Sequence, residues 1–540
     1  MGLASSKRLA STPVTRAFCG AGAACAAFGL APPLAHAQIE GLRSGNAPIA
    51  ECDAGNECFT LLGVTLEGAQ AIPARELAQH YEPYLAHAVS ARDLAMIADA
   101  ITAHYRSRGY FLSRAIVPPQ DAASGLARIV VLEGRISEVV IEGPGARQAA
   151  PHLRGLDHQP IANLTDLDCR LALASDTPGL TLRSRIEPTI DDPTRHRLVV
   201  VTEFATIQAN LDVDTRGPRD WGPVQAYGRV VGNSLLRTGD QLSLSVFAAP
   251  ADPSALTYAE IGYAMIYANG ARLGASISGS RSNHGHDMAS PEVGGDSESV
   301  SVRYDHPLLR RRWSGVWLTS EVDASRVRSD WLGGGGHTDQ LRVARVGLRG
   351  FLDDRGRATT SFVARASFGL DLAGASPMSP TNRSRPDADA IFSSYRLHAA
   401  HYRDLGRYFG VYATIDAQWS DEPLLFSEEF TLGGAPYGRA YGAGEVSGDR
   451  GVAGAVELRA GADPGVDPIS FVQGYLFADA GEVWNFDGNA DQLASVGAGV
   501  RLTFDERLTA GFEIARPLEG VPIGESDRDW RHFLSLSAAY

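Results

Sequence analysis

From Phe204 to the end of the chain, hydrophobic and polar residues alternate almost without interruption. Leu242, Leu244 and Val246 alternate with Gln241, Ser243 and Ser245. Val496, Ala498, Val500, Leu502 and Phe504 alternate with Ser495, Gly497, Gly499, Arg501 and Thr503, and Leu534, Leu536, Ala538 and Tyr540 alternate with Ser535 and Ser537. A period of two belongs to a strand with one apolar and one polar face. About sixteen such runs, bounded by turn residues, begin near Phe204, Gly222, Asp240, Ala255, Gly270, Ser297, Trp313, Gln340, Ala358, Ala390, Gly406, Gly451, Ser470, Gln492, Arg507 and Arg531. Beyond the first pair, their connections alternate in length. Asn269-Gly270, Asp353 to Arg355, Asp404 to Gly406 and Asp505-Glu506 are short, whereas Ser282 to Asp296, Asp330 to Asp339, Leu372 to Asp389, Asp421 to Arg450 and Leu518 to Asp529 are long and polar. A soluble sandwich has no reason to sort its loops in this way. A transmembrane antiparallel barrel with both chain ends on the short-turn side does. One irregularity stands out: Leu341 and Val343 slip phase to Val346 and Leu348, which predicts a β-bulge.

The front of the chain has a different period. Ala91 to Arg108 predicts a helix, with Ser90 as cap, Asp93 at the third position, an apolar stripe of Leu94, Ile97 and Ile101, and Gly109 as terminator. A helix over Pro73 to Ala86 precedes it. Strands are expected at Phe59–Leu66, Ser113–Val117 and Leu126–Leu132, which makes an α+β module of about 75 residues. The order then partly repeats: a strand at Glu138–Ile141, helices at Ala146–Leu156 and Asp166–Ser175, and strands at Leu182–Ile186 and Arg197–Thr202. Two tandem modules follow from this repeat.

The ends and the composition narrow the setting. Lys7, Arg8 and Arg16 precede an Ala/Gly-rich run from Ala17 to Leu34, and Ala35-His36-Ala37 fits small-x-small cleavage, so residues 1–37 read as a secretory signal. After residue 37 no stretch has the apolar length of a membrane helix. The net charge of −14 argues against a nucleic-acid partner, which wants a basic surface. Export permits disulfides, and Cys52 and Cys58 are expected to bridge, leaving Cys169 as a buried thiol on a helix. No nucleophile–base set, metal-ligand spacing or phosphate loop is visible, so neither an enzyme nor a cofactor is expected. His284 and His286 read as solvated loop residues, not metal ligands. No nucleotide site is visible either.

The most unusual stretch is FTLGGAPYGRAYGAGEVSGDRGVAGAVELR, Phe430 to Arg459. It opens with a loop rich in glycine that carries Arg439 beside Tyr441. It then becomes a strand with Val452, Val456 and Leu458 on one face and Glu457 and Arg459 on the other. A charge buried by such a loop needs a partner.

Several stretches carry a family resemblance. HYRSRGYFLSRAIVPPQ (His104 to Gln120) and GLARIVVLEGRI (Gly125 to Ile136) resemble the first POTRA domain of two-partner secretion outer-membrane transporters, the haemolysin/haemagglutinin secretion-activation family. The shared features are the Tyr-x-x-x-Gly-Tyr helix end, Pro-Pro-Gln and Glu-Gly-Arg, with a similar Cys58-Phe59 entry. GYLFADAGEVW (Gly474 to Trp484) resembles the Phe-x-Asp-x-Gly strand of this superfamily through Phe477, Asp479 and Gly481. SVGAGVRL, with Gly497, Gly499 and Arg501, resembles its next strand. Gly438-Arg439-Ala440-Tyr441 stands where the family loop usually reads Val-Arg-Gly-Tyr, so the local turn is expected to differ.

The resemblance implies α+β POTRA domains followed by a sixteen-stranded antiparallel transmembrane β-barrel. Its divisions are 1–37 signal, 38–58 linker, 59–136 first POTRA, 137–204 second POTRA and 205–540 barrel. It implies residence in the outer membrane with the POTRA domains in the periplasm, and secretion of an exoprotein client of adhesin or haemolysin type. The client would be received by β-augmentation. It also implies that the loop enters the lumen and that Arg439 pairs with Asp479 on the wall. Outer-membrane lipid is the solvent, and the final strand ending in Tyr540 resembles the signal read by the barrel-insertion machinery. The family often carries an N-terminal plug helix, but Gln38 to Glu57 contain Pro48 and little periodicity, so a long plug is not expected. A barrel-assembly insertase shares the fold and remains the alternative; a diffusion porin, which needs no POTRA domains, is a weaker one.

Overall fold

A computed structural model describes residues 58–217, 222–253, 255–283, 292–331, 335–372, 374–375 and 382–540. The signal, most of the linker, Cys52, His284 and His286 lie outside the described residues. The chain divides into two compact units at Phe204/Ala205.

In the front unit, the strand Gly63–Glu67 runs parallel to Leu126–Leu132, which pairs antiparallel with Arg114–Ile116. The helix Ala91–Ser107 starts at Ser90 with a full capping box, in which Ser90 and Asp93 satisfy each other's backbone amides. It buries Leu94, Ile97, Ile101 and Tyr105 against Ile129 and Val131. The helix expected over Pro73–Ala86 is broken into Ala74–Leu77 and two 3₁₀ turns, Ala78–His80 and Glu82–Tyr84. Pro83 has no amide to donate to a continuing helix, and Ala86 takes a positive φ of 63°.

The motif residues of this module are structural staples. Tyr105 donates from its hydroxyl to Glu133 Oε1 at 2.8 Å, and the same oxygen accepts the amides of Gln70 and Ala71 at 2.7 Å. Gln120 brackets the backbone of Arg128, accepting its amide at 2.7 Å and donating to its carbonyl at 2.9 Å. Cys58 is disulfide-bonded. Cys169 sits half-buried on the helix Leu164–Ser175.

The second module begins with the strand Arg135–Glu142, parallel to Arg195–Phe204, which pairs antiparallel with Leu180–Pro188. Two backbone bonds join the modules, Ala162 N to Gly134 O and Leu164 N to Gly109 O, both 2.9 Å. Apolar side chains cross in both directions: Phe111 and Leu112 pack on the second core, and Ile161 packs on the first.

The back unit is a closed antiparallel barrel of sixteen strands among the described residues, from Ile207–Asp214 to Arg531–Ala539. Closure leaves no edge amides for lipid to strip of water, which is why an alternating chain can span a bilayer in this form. Leu242, Leu244, Val246, Ile277, Val322, Val456, Leu476 and Leu534 are exposed on the outside, where the acyl chains lie. Their alternating neighbours line the interior.

The sixth to eighth strands, Glu292–Arg311, Ser314–Trp331 and Gly336–Asp353, have 20, 18 and 18 residues. A membrane strand needs only about 9–11, so their upper parts rise past the apolar belt. This explains the phase slip, which is not a bulge: pairing from Leu341↔Ser325 to Leu348↔Leu318 is continuous. Leu341 and Val343 face inward above the membrane, packing with Ala388, Ala390, Phe392, Leu424 and Leu425. Val346 and Leu348 face lipid below. Register shifts fall elsewhere, between Glu292 and Gly294, Pro307 and Leu309, and Ile469 and Phe471.

Candidate functional site

The loop between the eleventh strand, Phe409–Ser420, and the twelfth, Arg450–Ala462, folds into the barrel. Its base is a two-stranded ribbon, Phe430–Leu432 with Val446–Gly448. Gly481 leaves room for this ribbon: a Cβ there would lie 2.9 Å from Leu432. Arg385 fastens the base from a neighbouring loop, reaching Glu429 and Asp449, each at 2.7 Å. Arg396 donates to the carbonyls of Glu428 (3.1 Å) and Glu429 (2.6 Å).

The tip carries Arg439, whose residue surface is 5% exposed. Its guanidinium meets three carboxylates on three inner strand faces: Glu457 at 2.7 Å, Glu513 at 3.4 Å and Asp479 at 3.9 Å. It also lies 4.3 Å over the Phe477 ring. The nearest partner is therefore Glu457. Asp479 Oδ1 instead accepts the amide of Gly438 and the hydroxyl of Ser495, both at 2.6 Å. Asp479 holds the loop's backbone, and Glu457 holds its charge.

Glu457 is itself shared. Arg459 approaches it at 2.5 Å and Arg501 at 3.4 Å. Arg501 stacks 3.8 Å over Tyr475, whose hydroxyl donates to Glu513 at 2.7 Å. Four guanidiniums, counting Arg216 on Glu513 at 2.5 Å, surround three buried carboxylates. Such a set is costly to desolvate, and removing one member strands the others. Among the described residues no group of three or more His, Cys, Asp or Glu side chains could hold a metal.

The glycines of the neighbouring strand make slots for aromatic rings. A Cβ at Gly497 would fall 2.4 Å from Phe477 Cζ, and one at Gly499 2.3 Å from the Tyr475 hydroxyl. Tyr441 is buried, with its hydroxyl 3.0 Å from the carbonyl of Ala494 and within reach of that of Glu519. At the turn itself, Gly438 takes φ 85°, and Ala440 is absent from the non-glycine residues with positive φ. The left-handed residue thus sits two positions earlier than the family pattern implies, where alanine would be strained and glycine is not. Glu513, Arg216, Ser495 and Tyr475 were not singled out from sequence. Glu457 and Arg459 were visible there only as a polar strand face.

A two-module α+β front unit, a sixteen-stranded barrel and a buried cationic loop define an outer-membrane transporter of the POTRA-plus-barrel class. Residues 59–134 match the POTRA domain, ShlB-type, and residues 198–502 match the haemolysin secretion/activation protein ShlB/FhaC/HecB family. The chain belongs to that family: it is a two-partner secretion transporter of the outer membrane, with POTRA modules in the periplasm, that secretes a partner exoprotein. It is 23% identical over 480 residues to the heme/hemopexin transporter protein HuxB of Haemophilus influenzae (strain 86-028NP), covering 83% of this chain and 82% of the relative. It is 23% identical over 483 residues to the outer membrane transporter CdiB of Dickeya dadantii (strain 3937), covering 85% and 84%. CdiB from Escherichia coli shares the fold, with a TM-score of 0.72 at 20% identity over 91% of this chain and 92% of that one.

Proposed function

We propose that the loop from Phe430 to Gly448 is the element that moves to admit the client. In this reading Arg439, Tyr441 and Asp479, with Glu457 and Glu513, hold it in its resting seat. The observation that carries this is a guanidinium only 5% exposed, tied from the loop to the strand that follows it and to two further strands of the wall. Phe477, Gly481, Gly497, Gly499 and Arg501 shape the receiving wall.

The client, an adhesin- or haemolysin-type exoprotein, is received in extended form by β-augmentation. The nine-residue strand Leu180–Pro188 supports this, because among the described residues it pairs on one side only. The modules divide near 136/137, and the start of the second module's strand at Arg135 supports a boundary there. A Cys52–Cys58 bridge closes the entry to the first module. The belt of exposed apolar residues contacts outer-membrane lipid, and the final strand ending at Tyr540 addresses the chain to the insertion machinery. Transport draws on client binding and on folding outside the cell.

The test is secretion of the client by cells carrying Arg439→Ala. Loss of secretion, with other outer-membrane proteins at normal levels, is expected. Full secretion with unchanged channel behaviour of the purified protein overturns the proposal.

A further inference from the structure

The barrel closes where its first strand meets its last, and this seam is its shortest ladder. Five residue pairs run from Ser535↔Asp214 to Ala539↔Asn210, against eight in each flanking pair. Backbone bonds extend the ladder by one step at each end, Ala209 with Tyr540 below and Thr215 with Leu534 above. Above Leu534, side chains replace the ladder. Arg216, from the first strand's side, lies 4.1 Å over the Phe533 ring of the last strand, and Arg531 lies 5.5 Å from the same ring.

Both arginines also reach the inward loop. Arg216 Nη1 donates to the carbonyl of Arg439 at 3.3 Å, and Arg531 Nη1 donates to the carbonyl of Ala440 at 2.9 Å. Two consecutive carbonyls at the loop tip are thus gripped from opposite sides of the seam. Arg216 holds Glu513 as well, so it is fixed on the same carboxylate that faces Arg439. Phe533, Ala440 and Tyr441 belong to one buried cluster beside these part-buried bonds.

We propose that Arg216 and Arg531 are positioning residues that clasp the loop tip across the seam, so that seating of the loop and closure of the upper seam are one coupled state. This rests on the reading of the loop as the moving element. A seated tip gives both arginines their acceptors and joins the two strand ends. A displaced tip removes both carbonyl acceptors and leaves the upper seam to the Arg216–Glu513 ion pair and the Arg216–Phe533 ring contact.

The experiment uses the full-length protein in planar bilayers. Arg216→Gln, Arg531→Gln and the double variant are compared with Arg439→Ala, and heat-modifiable migration reports a folded barrel. Each single variant is expected to raise open-state occupancy roughly tenfold, the scale of one lost charge-assisted hydrogen bond, and the double variant further. Arg531→Lys keeps a donor for Ala440 and should stay near the parent; if it opens as Arg531→Gln does, the clasp is refuted. A disulfide between cysteines placed at Asp212 and Ser537, partners across the seam, should suppress the added openings of the double variant. Equal openings with the seam locked overturn the coupling. Parent-like occupancy in the double variant, with a rise in Arg439→Ala, overturns the clasp alone. No rise in either overturns the reading of the loop as well.

Discussion

Replacing Glu457 by glutamine separates the charge that seats the loop from the hydrogen bonds that shape it. Glu457 accepts from Arg439 on the loop and from Arg459 and Arg501 on the wall. The two wall contacts persist whether or not the loop is seated, so they cancel in the seating equilibrium. What the substitution removes is one charge-assisted bond at 2.7 Å, about 1.5–3 kcal/mol, or roughly 10- to 100-fold in the ratio of seated to displaced loop. Arg439 retains Glu513 at 3.4 Å and Asp479 at 3.9 Å, which keeps the loss from being larger. Asp479→Asn is the contrast. Its amide oxygen still accepts the Gly438 amide, and the lost charge stood 3.9 Å from Arg439, so the cost is about 1 kcal/mol, less than tenfold. Open-state occupancy in planar bilayers, read beside client secretion, ranks the two. If Asp479→Asn opens the channel more than Glu457→Gln, or if Glu457→Gln is silent, then assigning the charge to Glu457 and the backbone to Asp479 is wrong.

Gly497→Val places a Cβ 2.2 Å from the Ile514 carbonyl and 2.4 Å from Phe477; it should cost at least about 1–3 kcal/mol and lower the urea midpoint of the heat-modifiable barrel band. Tyr105→Phe removes the bond to Glu133 while the two amides remain on that carboxylate, so denaturation of residues 38–204 should ease by about 1.5 kcal/mol. In the same fragment, burial and then the neighbouring His104 lower the pKa of His80 from 6.5. Its contribution is present above that value and lost as pH falls through the lowered one. The denaturation midpoint should therefore drop between pH 7.5 and 5.5, and drop less in His80→Gln. Arg108, then His104, hold Glu76 below 4.5, so its own contribution fades only further into acid.

Barrel and module architecture were legible because alternation and helical period report directly on which face is apolar. Predicted strand starts such as Asp240, Ala358 and Arg531 coincide with the observed ones. The helix over Pro73–Ala86 failed because apolar spacing outweighed Pro83, whose missing amide matters only in the interior of a helix. The slip at Leu341 was read correctly as a change of face and wrongly as a bulge. A strand that leaves the membrane can turn its apolar residues inward with no break in register. At the site, Arg439, Tyr441 and Asp479 could be named, but the path of the loop could not. That path decides which wall carboxylate meets the guanidinium, and so hid Glu457 and Glu513. The useful signal was charge at inward strand positions, where alternation already gave the direction.

The ribbon of Phe430–Leu432 and Val446–Gly448 ties the two ends of the inward loop to each other. If the loop is the moving element proposed above, a segment tied in this way is never lost to the medium, and its return is a unimolecular recoil. Its effective concentration is set by tether length and not by supply. On the reading of the loop as the moving element, reseating therefore needs no fresh part.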